Sequence, residues 1–136
     1  MPLHLLNYAV TFGDCDPAGI VFYPNFPRWF DRTFHDWLRR FGGHAAVCRR
    51  LGAKGIGVVS VEARFATPAL DGDLLRIGLS VATWDARTVT LGYEVTCGDR
   101  AVATARETRG VFVEAEGRTR LAGTAGLREI VNSGEG

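Results

Sequence analysis

The sequence predicts an α+β fold in which a curved antiparallel sheet of about five strands surrounds one long helix. One segment carries aromatic side chains at helical spacing, and several later segments alternate apolar and polar residues with the period of half-buried strands. A single helix with a broad aromatic face needs a wide apolar surface to cover it. A curved sheet supplies such a surface.

The first strand is predicted over residues 8–12, where apolar and smaller side chains alternate. The long helix begins at Pro24, because the missing N–H of proline would have no intrahelical partner at this position. The glycine pair at 42–43 ends it. Its apolar stripe consists of Phe26, Trp29, Phe30, Thr33, Phe34, Trp37, Leu38 and Phe41.

Four further strands follow the helix, each indicated by apolar and polar alternation. They cover residues 59–65, 75–81, 89–97 and 101–114. Gly110 suggests a bulge in the last of them. Small residues such as Gly78, Ala82 and Gly92 predict close contact between the sheets of neighbouring subunits. The polar tail at 132–136 is expected to fray.

The bulk composition restricts the class of protein. The length of 136 residues predicts a single domain over residues 1–136. A net charge of +1 excludes a general affinity for nucleic acid or for anionic membranes. The three cysteines are far apart in sequence, so neither a disulfide framework nor a metal site is expected. No signal peptide or membrane span is visible, and a cytoplasmic protein is predicted.

The stretch from Phe12 to Phe26 carries the chemistry. Asp14 and Asp16 lie in a Pro/Gly loop between the first strand and the N-terminus of the aromatic helix. Free N–H groups and the positive end of the helix dipole favour developing negative charge there. A nearby carboxylate can act as nucleophile or general base, so the loop suits acyl transfer. The alternative is that both acids only form the turn.

This stretch, Asp-Cys-Asp-Pro-Ala-Gly-Ile-Val followed by Phe-Tyr-Pro-Asn, closely resembles the signature of the 4-hydroxybenzoyl-CoA thioesterases. That family belongs to the hot-dog fold acyl-CoA thioesterase superfamily. The resemblance continues at Arg28, Trp29 and Asp31, and the order of strands agrees through about residue 114. It implies a hot-dog fold over most of the chain.

The resemblance also implies residue roles. Asp16 matches the catalytic aspartate, and Tyr23 matches the residue whose backbone N–H polarises the thioester carbonyl. Gly19 matches a glycine that permits close approach in the loop. Asp31 matches an acid that faces the hydroxyl of a hydroxybenzoyl group across a subunit interface. The family binds acyl-CoA at a dimer interface, commonly forms a homodimer or homotetramer, and uses no metal or redox cofactor.

One departure from the family concerns the nucleotide of CoA. Family members carry a basic cluster near the position of Trp84 that holds CoA phosphates, whereas here only Arg87 is basic. Asp85 would repel a phosphate unless it points away. Phe22 and Phe26 are candidates for lining an acyl pocket.

Two other side chains are considered as reactive groups. Cys15 lies between two acids, which disfavours its thiolate and argues against a nucleophilic role. His35 lies four residues after Asp31 on one helix face, a pair that also occurs in the hydratase branch of the fold. The surrounding residues do not match that branch, so a solvated surface histidine is expected.

The resulting functional prediction is hydrolysis of an aromatic acyl-CoA thioester, of benzoyl or hydroxybenzoyl type, with Asp16 as nucleophile or general base. A second enzymatic alternative is a thioesterase for short or medium aliphatic acyl groups on CoA or acyl carrier protein. An alternative from another class is a hot-dog protein that binds acyl-CoA without hydrolysing it. The sequence leaves open the acyl group, the thiol carrier and the choice between dimer and tetramer.

Overall fold

The computed structural model describes residues 2–133, which form six strands, three α-helices and two 3₁₀ turns. In chain order the elements are β1 (His4–Ala9), α1 (Asn25–Leu38), α2 (His44–Leu51), β2 (Gly55–Phe65), β3 (Leu74–Trp84), β4 (Val89–Cys97), β5 (Arg100–Ala115), β6 (Arg118–Ala122) and α3 (Ala125–Ser133). The 3₁₀ turns span Phe12–Asp14 and Arg39–Phe41. The predicted α+β class is confirmed.

The strands form one sheet in the order β1-β3-β4-β5-β2, and β6 pairs with β5 beside this path. β1 runs antiparallel to β3, and β6 runs antiparallel to β5. β2 runs antiparallel to β5, because the amide of Lys54 bonds to Phe112 whereas the later amide of Ala66 bonds to the earlier Val102. The predicted antiparallel sheet is therefore present, with one strand more than expected.

Helix α1 begins one residue after its predicted start at Pro24. Pro24 lies in a turn in which the amide of Asn25 bonds to Phe22 and the amide of Phe26 bonds to Tyr23. The helical path continues through the second 3₁₀ turn and ends at the predicted glycine pair, where the first glycine has a left-handed φ of 101°. The predicted stripe is confirmed, and its buried members are Phe26, Trp29, Phe30, Thr33, Phe34, Trp37 and Leu38.

The first strand was predicted at the wrong residues. β1 covers His4–Ala9 rather than residues 8–12, and the chain then turns away from the sheet. The carboxylate of Asp14 accepts the amide of Thr11 at 3.0 Å, which competes with strand pairing and favours a 3₁₀ turn. Phe12 is left 60% exposed.

Three short elements, α2, β6 and α3, were not predicted. The helices have eight and nine residues, too few for a clear helical repeat. α3 nevertheless buries Leu127, Ile130 and Val131. It also includes the first two residues of the segment predicted to fray, 132–136. The remaining three, 134–136, lie outside the described residues.

Two glycines predicted to have special roles are explained by close packing. A Cβ on Gly78 would lie 3.3 Å from Pro2 and 3.5 Å from Leu5, so residues of the same chain pack against this position. The contact between sheets of neighbouring subunits, predicted from Gly78, Ala82 and Gly92, stays a prediction. A Cβ on Gly110 would collide with Leu121 of β6, and β5 runs without interruption through this residue.

Contacts divide the chain into two compact units. Within the described residues 2–133, the first unit comprises the chain up to residue 34 together with 62–80 and 92–106, and the second comprises 35–61, 81–91 and the chain from residue 107 onward. α1 and the strands β2 to β5 contribute residues to both, and the single domain over the whole chain stays a prediction. No helix within the part of the chain that the structure describes has the length and apolar character needed to cross a bilayer.

The core of the first unit joins α1 to the sheet through aromatic rings. Phe30 stacks on Tyr93 of β4 with ring centroids 4.7 Å apart. Phe26 meets Phe65 of β2 edge-on at 5.2 Å. Such pairs add to the stabilisation from burial, and they fix the start of α1, which follows the chemically important loop.

Candidate active site

Asp16 lies in a tight turn between β1 and α1. Its amide bonds to the carbonyl of Ile20 at 2.9 Å, and its carbonyl accepts the amide of Gly19 at 2.9 Å. Gly19 has a φ of 83°, which glycine adopts without steric cost. The carboxylate oxygen Oδ1 of Asp16 accepts the amide of Ala18 at 2.8 Å. The hydrogen bond within the turn therefore uses one carboxylate oxygen, Oδ1. Within residues 2–133 no group donates a hydrogen bond to the other oxygen, Oδ2.

The loop folds back on itself and leaves the amide of Tyr23 unused. Cys15 forms an antiparallel bridge with Val21, and the amide of Phe22 donates to the carbonyl of Asp14 at 2.9 Å. Tyr23 follows directly, in the turn before α1, and is 67% exposed. Among the described residues, no group accepts a hydrogen bond from the Tyr23 amide. A free amide at the N-terminus of a helix is suited to binding an oxyanion.

Asp14, the first acid of the motif, has a structural environment. The hydroxyl of Tyr8 lies 3.0 Å from both of its carboxylate oxygens. The amide of Thr11 donates to the carboxylate, and the side-chain amide of Asn25 donates to the Asp14 carbonyl at 2.8 Å. Burial and the adjacent Asp14 carboxylate raise the pKa of the Tyr8 phenol, which keeps it protonated as a donor. The turn-forming alternative therefore describes Asp14 well.

The other candidate residues of the helix region differ in accessibility. Phe22 and Asp31 are exposed, whereas Phe26 is almost fully buried among core rings. Phe22 is thus the more accessible of the two aromatic candidates for an acyl pocket. His35 is half-buried rather than solvated as expected, because its ring packs edge-on against the ring of His44 at 5.1 Å.

Arg87 belongs to the second compact unit, in the exposed connection between β3 and β4. Its guanidinium makes a long hydrogen bond of 3.4 Å to the carbonyl of Leu121. Asp85 is also exposed. A second cation, Arg128 of α3, lies 5.8 Å from the ring centroid of Trp84. Arg128 was not among the predicted site residues, because the helix that carries it was not predicted.

The direction of the pKa shift at the Cys15 thiol agrees with the sequence prediction. Partial burial raises the pKa of its thiol, and the negative charges of Asp71, Asp14 and Asp16 raise it further. A protonated thiol is a poor nucleophile at neutral pH. Within residues 2–133, no group of three or more His, Cys, Asp or Glu side chains is placed to hold a metal ion.

A carboxylate in a tight turn, followed by a free amide before a helix, is the equipment that acyl transfer from a thioester requires. Comparison with protein families agrees with this class. Residues 10–128 match the Thioesterase-like superfamily, and the chain belongs to that superfamily.

Similar curated proteins act on aromatic CoA thioesters. The chain is 35% identical over 82 residues to a 4-hydroxybenzoyl-CoA thioesterase of Pseudomonas sp. strain CBS-3, which covers 58% of this chain and 57% of that protein. It is 32% identical over 124 residues to a 1,4-dihydroxy-2-naphthoyl-CoA hydrolase of Synechococcus sp. strain CC9311, and this match covers 86% of this chain and 81% of that protein. The match thus spans little more than half of the Pseudomonas relative.

Solved structures share the fold along almost the whole chain. A crystal structure of a 4-hydroxybenzoyl-CoA thioesterase mutant in complex with 4-hydroxybenzoyl-CoA superposes with a TM-score of 0.81 at 28% identity, covering 93% of this chain and 96% of that one. The structure of a gentisyl-coenzyme A thioesterase superposes with a TM-score of 0.77 at 26% identity, and the match covers 91% of this chain and 98% of that one. The predicted hot-dog fold is confirmed.

Proposed function

We propose that this protein hydrolyses an aromatic acyl-CoA thioester, of benzoyl or hydroxybenzoyl type, to the free acid and CoA. The observation that carries the proposal is the occurrence on one loop of a carboxylate oxygen, Asp16 Oδ2, and an amide, that of Tyr23, neither bonded to another described residue. The named activities of the relatives support the aromatic acyl group, since they act on 4-hydroxybenzoyl, dihydroxynaphthoyl and gentisyl thioesters.

The proposed chemistry uses these two groups in turn. The thioester oxygen accepts a hydrogen bond from the Tyr23 amide, which stabilises the negative charge that develops on it. Asp16 then either attacks the carbonyl carbon or removes a proton from a water molecule that attacks it. The C–S bond breaks and CoA leaves as a thiolate, which takes up a proton. In the nucleophilic route, water afterwards cleaves the mixed anhydride and regenerates Asp16.

Other residues are proposed to bind the substrate rather than react with it. Gly19 has no side chain to obstruct approach to the loop, and a Cβ built there meets nothing within 4 Å, so its left-handed φ is the reason for glycine. Phe22 offers an exposed ring to the acyl group, and Asp31 offers an exposed carboxylate to a ring hydroxyl. Arg87 offers an exposed guanidinium to a CoA phosphate.

We also propose that the protein functions as a homodimer or homotetramer. β2 is the last strand on the path of the sheet, so one of its edges has backbone groups without a neighbouring strand on that path. Its residues Val58, Val59 and Val61 are 46%, 51% and 42% exposed. An apolar open edge invites pairing with another strand, and a second copy of the same strand would satisfy it.

Thiol release from a panel of purified thioesters tests the function. The panel contains benzoyl-CoA, 4-hydroxybenzoyl-CoA, hexanoyl-CoA and hexanoyl acyl carrier protein. We expect kcat/KM to be at least about tenfold higher for an aromatic CoA ester, the range that differences in pocket contacts produce. A higher value for an aliphatic ester would favour the second thioesterase alternative. Tight binding of every CoA ester without thiol release would favour the non-hydrolytic alternative.

A further inference from the structure

We propose that Asp14 is a positioning residue for the reaction, which holds Asp16 and the Tyr23 amide in the geometry that hydrolysis requires. The inference rests on the proposed function, because positioning matters only where the loop carries out chemistry. Asp14, the first acid of the motif, would then support catalysis by fixing the loop, without itself acting as acid, base or nucleophile. The contacts of its side chain and of its backbone carry the argument separately.

The side chain ties the loop to the sheet. Both carboxylate oxygens of Asp14 lie 3.0 Å from the hydroxyl of Tyr8, and one accepts the amide of Thr11 at 3.0 Å. Tyr8 belongs to β1, which is paired along its length with β3. Its ring packs 4.6 Å from that of Trp29 and lies 6.0 Å below the guanidinium carbon of Arg32. The anchor for Asp14 is therefore rigid.

The backbone of Asp14 connects this anchored residue to the second half of the loop, which leads from Phe22 into α1. Its carbonyl accepts the side-chain amide of Asn25, the first residue of α1, at 2.8 Å, and the amide of Phe22 at 2.9 Å. Phe22 directly precedes Tyr23, and Asp16 lies two residues after Asp14. Asp14 thus connects three parts of the chain: β1, the segment that leads to the Asp16 carboxylate, and the segment that leads to the Tyr23 amide.

Loss of this connection should act on the rate of reaction more than on binding. A displacement of about 1 Å between reacting groups can cost a hundredfold in rate. We therefore expect Asp14→Asn to lower kcat by about ten- to a hundredfold, with KM changed by less than about threefold. Asparagine removes the negative charge and one of the two oxygens that accept hydrogen bonds from the Tyr8 hydroxyl and the Thr11 amide, so the anchor is weakened. Tyr8→Phe keeps the ring packing and loses only the hydroxyl, so a smaller loss of a few-fold is expected.

A matched control separates positioning from a general loss of stability. Val95 of β4 is fully buried in the same compact unit, and its side chain has no polar group that could take part in the hydrogen bonds of the loop. Val95→Ala should lower the melting temperature, because it leaves a cavity, and should leave kcat within about twofold of the wild-type value. Equal losses of kcat at equal losses of melting temperature in both variants would overturn the inference.

The double variant gives the decisive kinetic readout. If Asp14 acts by setting the position of Asp16 relative to the Tyr23 amide, that geometry no longer matters once the Asp16 carboxylate is lost. Asp14→Asn in an Asp16→Asn background should then reduce the residual kcat by less than about twofold. If Asp14 and Asp16 contributed independently, their effects on kcat would multiply. The kcat of the double variant would then be lower than that of Asp16→Asn by a further factor of about ten or more. Multiplicative effects, or an Asp14→Asn variant with near-normal kcat, would refute the positioning role while leaving the proposed function intact.

Amide hydrogen exchange tests the connection without any substrate. Asp14→Asn should speed exchange at the Thr11 and Phe22 amides by at least about tenfold, whereas Val95→Ala should not do so at matched stability. A wild-type protein inactive towards the whole panel would overturn the proposed function, and with it any role of Asp14 in hydrolysis. Unchanged exchange at both amides would show that Asp14 does not hold the loop.

Discussion

Replacing Arg109 by methionine is expected to lower the free energy of unfolding by about 3–5 kcal/mol, because it breaks a buried ion pair. The guanidinium Nε of Arg109 lies 2.6 Å from Glu107 Oε1, and the two side chains are only 1% and 3% exposed. The same guanidinium donates to the carbonyl of Ile56 in β2 at 3.2 Å. Methionine therefore leaves a buried carboxylate and a buried carbonyl each without one hydrogen bond.

Urea denaturation of the wild type and the variant measures this loss. The expected loss is a large fraction of the roughly 5–15 kcal/mol that stabilises a typical domain. The control is Lys54→Met, because Lys54 and Glu114 form an ion pair of 3.7 Å whose side chains are 61% and 60% exposed. That control should lose less than about 1 kcal/mol. Similar losses in the two variants, or a loss below about 1 kcal/mol for Arg109→Met, would refute the reasoning.

Three further predictions concern pH, phosphate recognition and assembly. The Leu70 amide and the Arg100 guanidinium lower the pKa of Asp73 below its usual 3.8, so this carboxylate stabilises the fold above that pH. Asp73→Asn should destabilise the protein at neutral pH, and in thermal melts the deficit should vanish as pH falls below 3.8 through the lowered value. Arg87→Ala should raise KM several-fold with kcat unchanged, because a remote phosphate contact of about 1 kcal/mol is uniform binding. The effect should weaken in high salt and be absent with an acyl-pantetheine ester, and an unchanged KM for the CoA ester at low salt would contradict it. Val59→Lys should shift sedimentation towards the monomer, because it places a charge on the open edge of β2; an active wild-type monomer at micromolar concentration would contradict the proposed assembly.

The parts of the fold that could be predicted from the sequence have long, regular signals. The stripe of α1 repeats over four turns, and the strands after it alternate over many residues, so both were found within a few residues of their bounds. The position of the first strand was predicted wrongly, because a side-chain contact that does not show in the alternation of apolar and polar residues determines where the strand ends. The Asp14 carboxylate captures the Thr11 amide and turns the chain before Phe12. Alternation alone carries no information about such a side-chain contact.

The candidate site was predicted only in part, for a similar reason. The Pro/Gly residues before the helix identified the loop, and the resemblance to the 4-hydroxybenzoyl-CoA thioesterases singled out Asp16 and Tyr23, whose roles stay predictions. The anchor at Tyr8 could not be found this way, since its contact with Asp14 depends on the bend between β1 and the loop. Arg128 was missed because nine residues of α3 are too short a pattern to place it.

The central claim is that Asp16 is the catalytic carboxylate, and steady-state hydrolysis of 4-hydroxybenzoyl-CoA by Asp16→Asn tests it most directly. Asparagine keeps an oxygen that can accept the Ala18 amide, the hydrogen bond that Oδ1 makes in this turn, so the fold and the melting temperature should be preserved. The variant loses the negative charge needed for attack or for proton removal. We predict a fall in kcat of at least about a hundredfold, the range expected on loss of such a group. A folded Asp16→Asn protein with near-normal kcat would contradict the account.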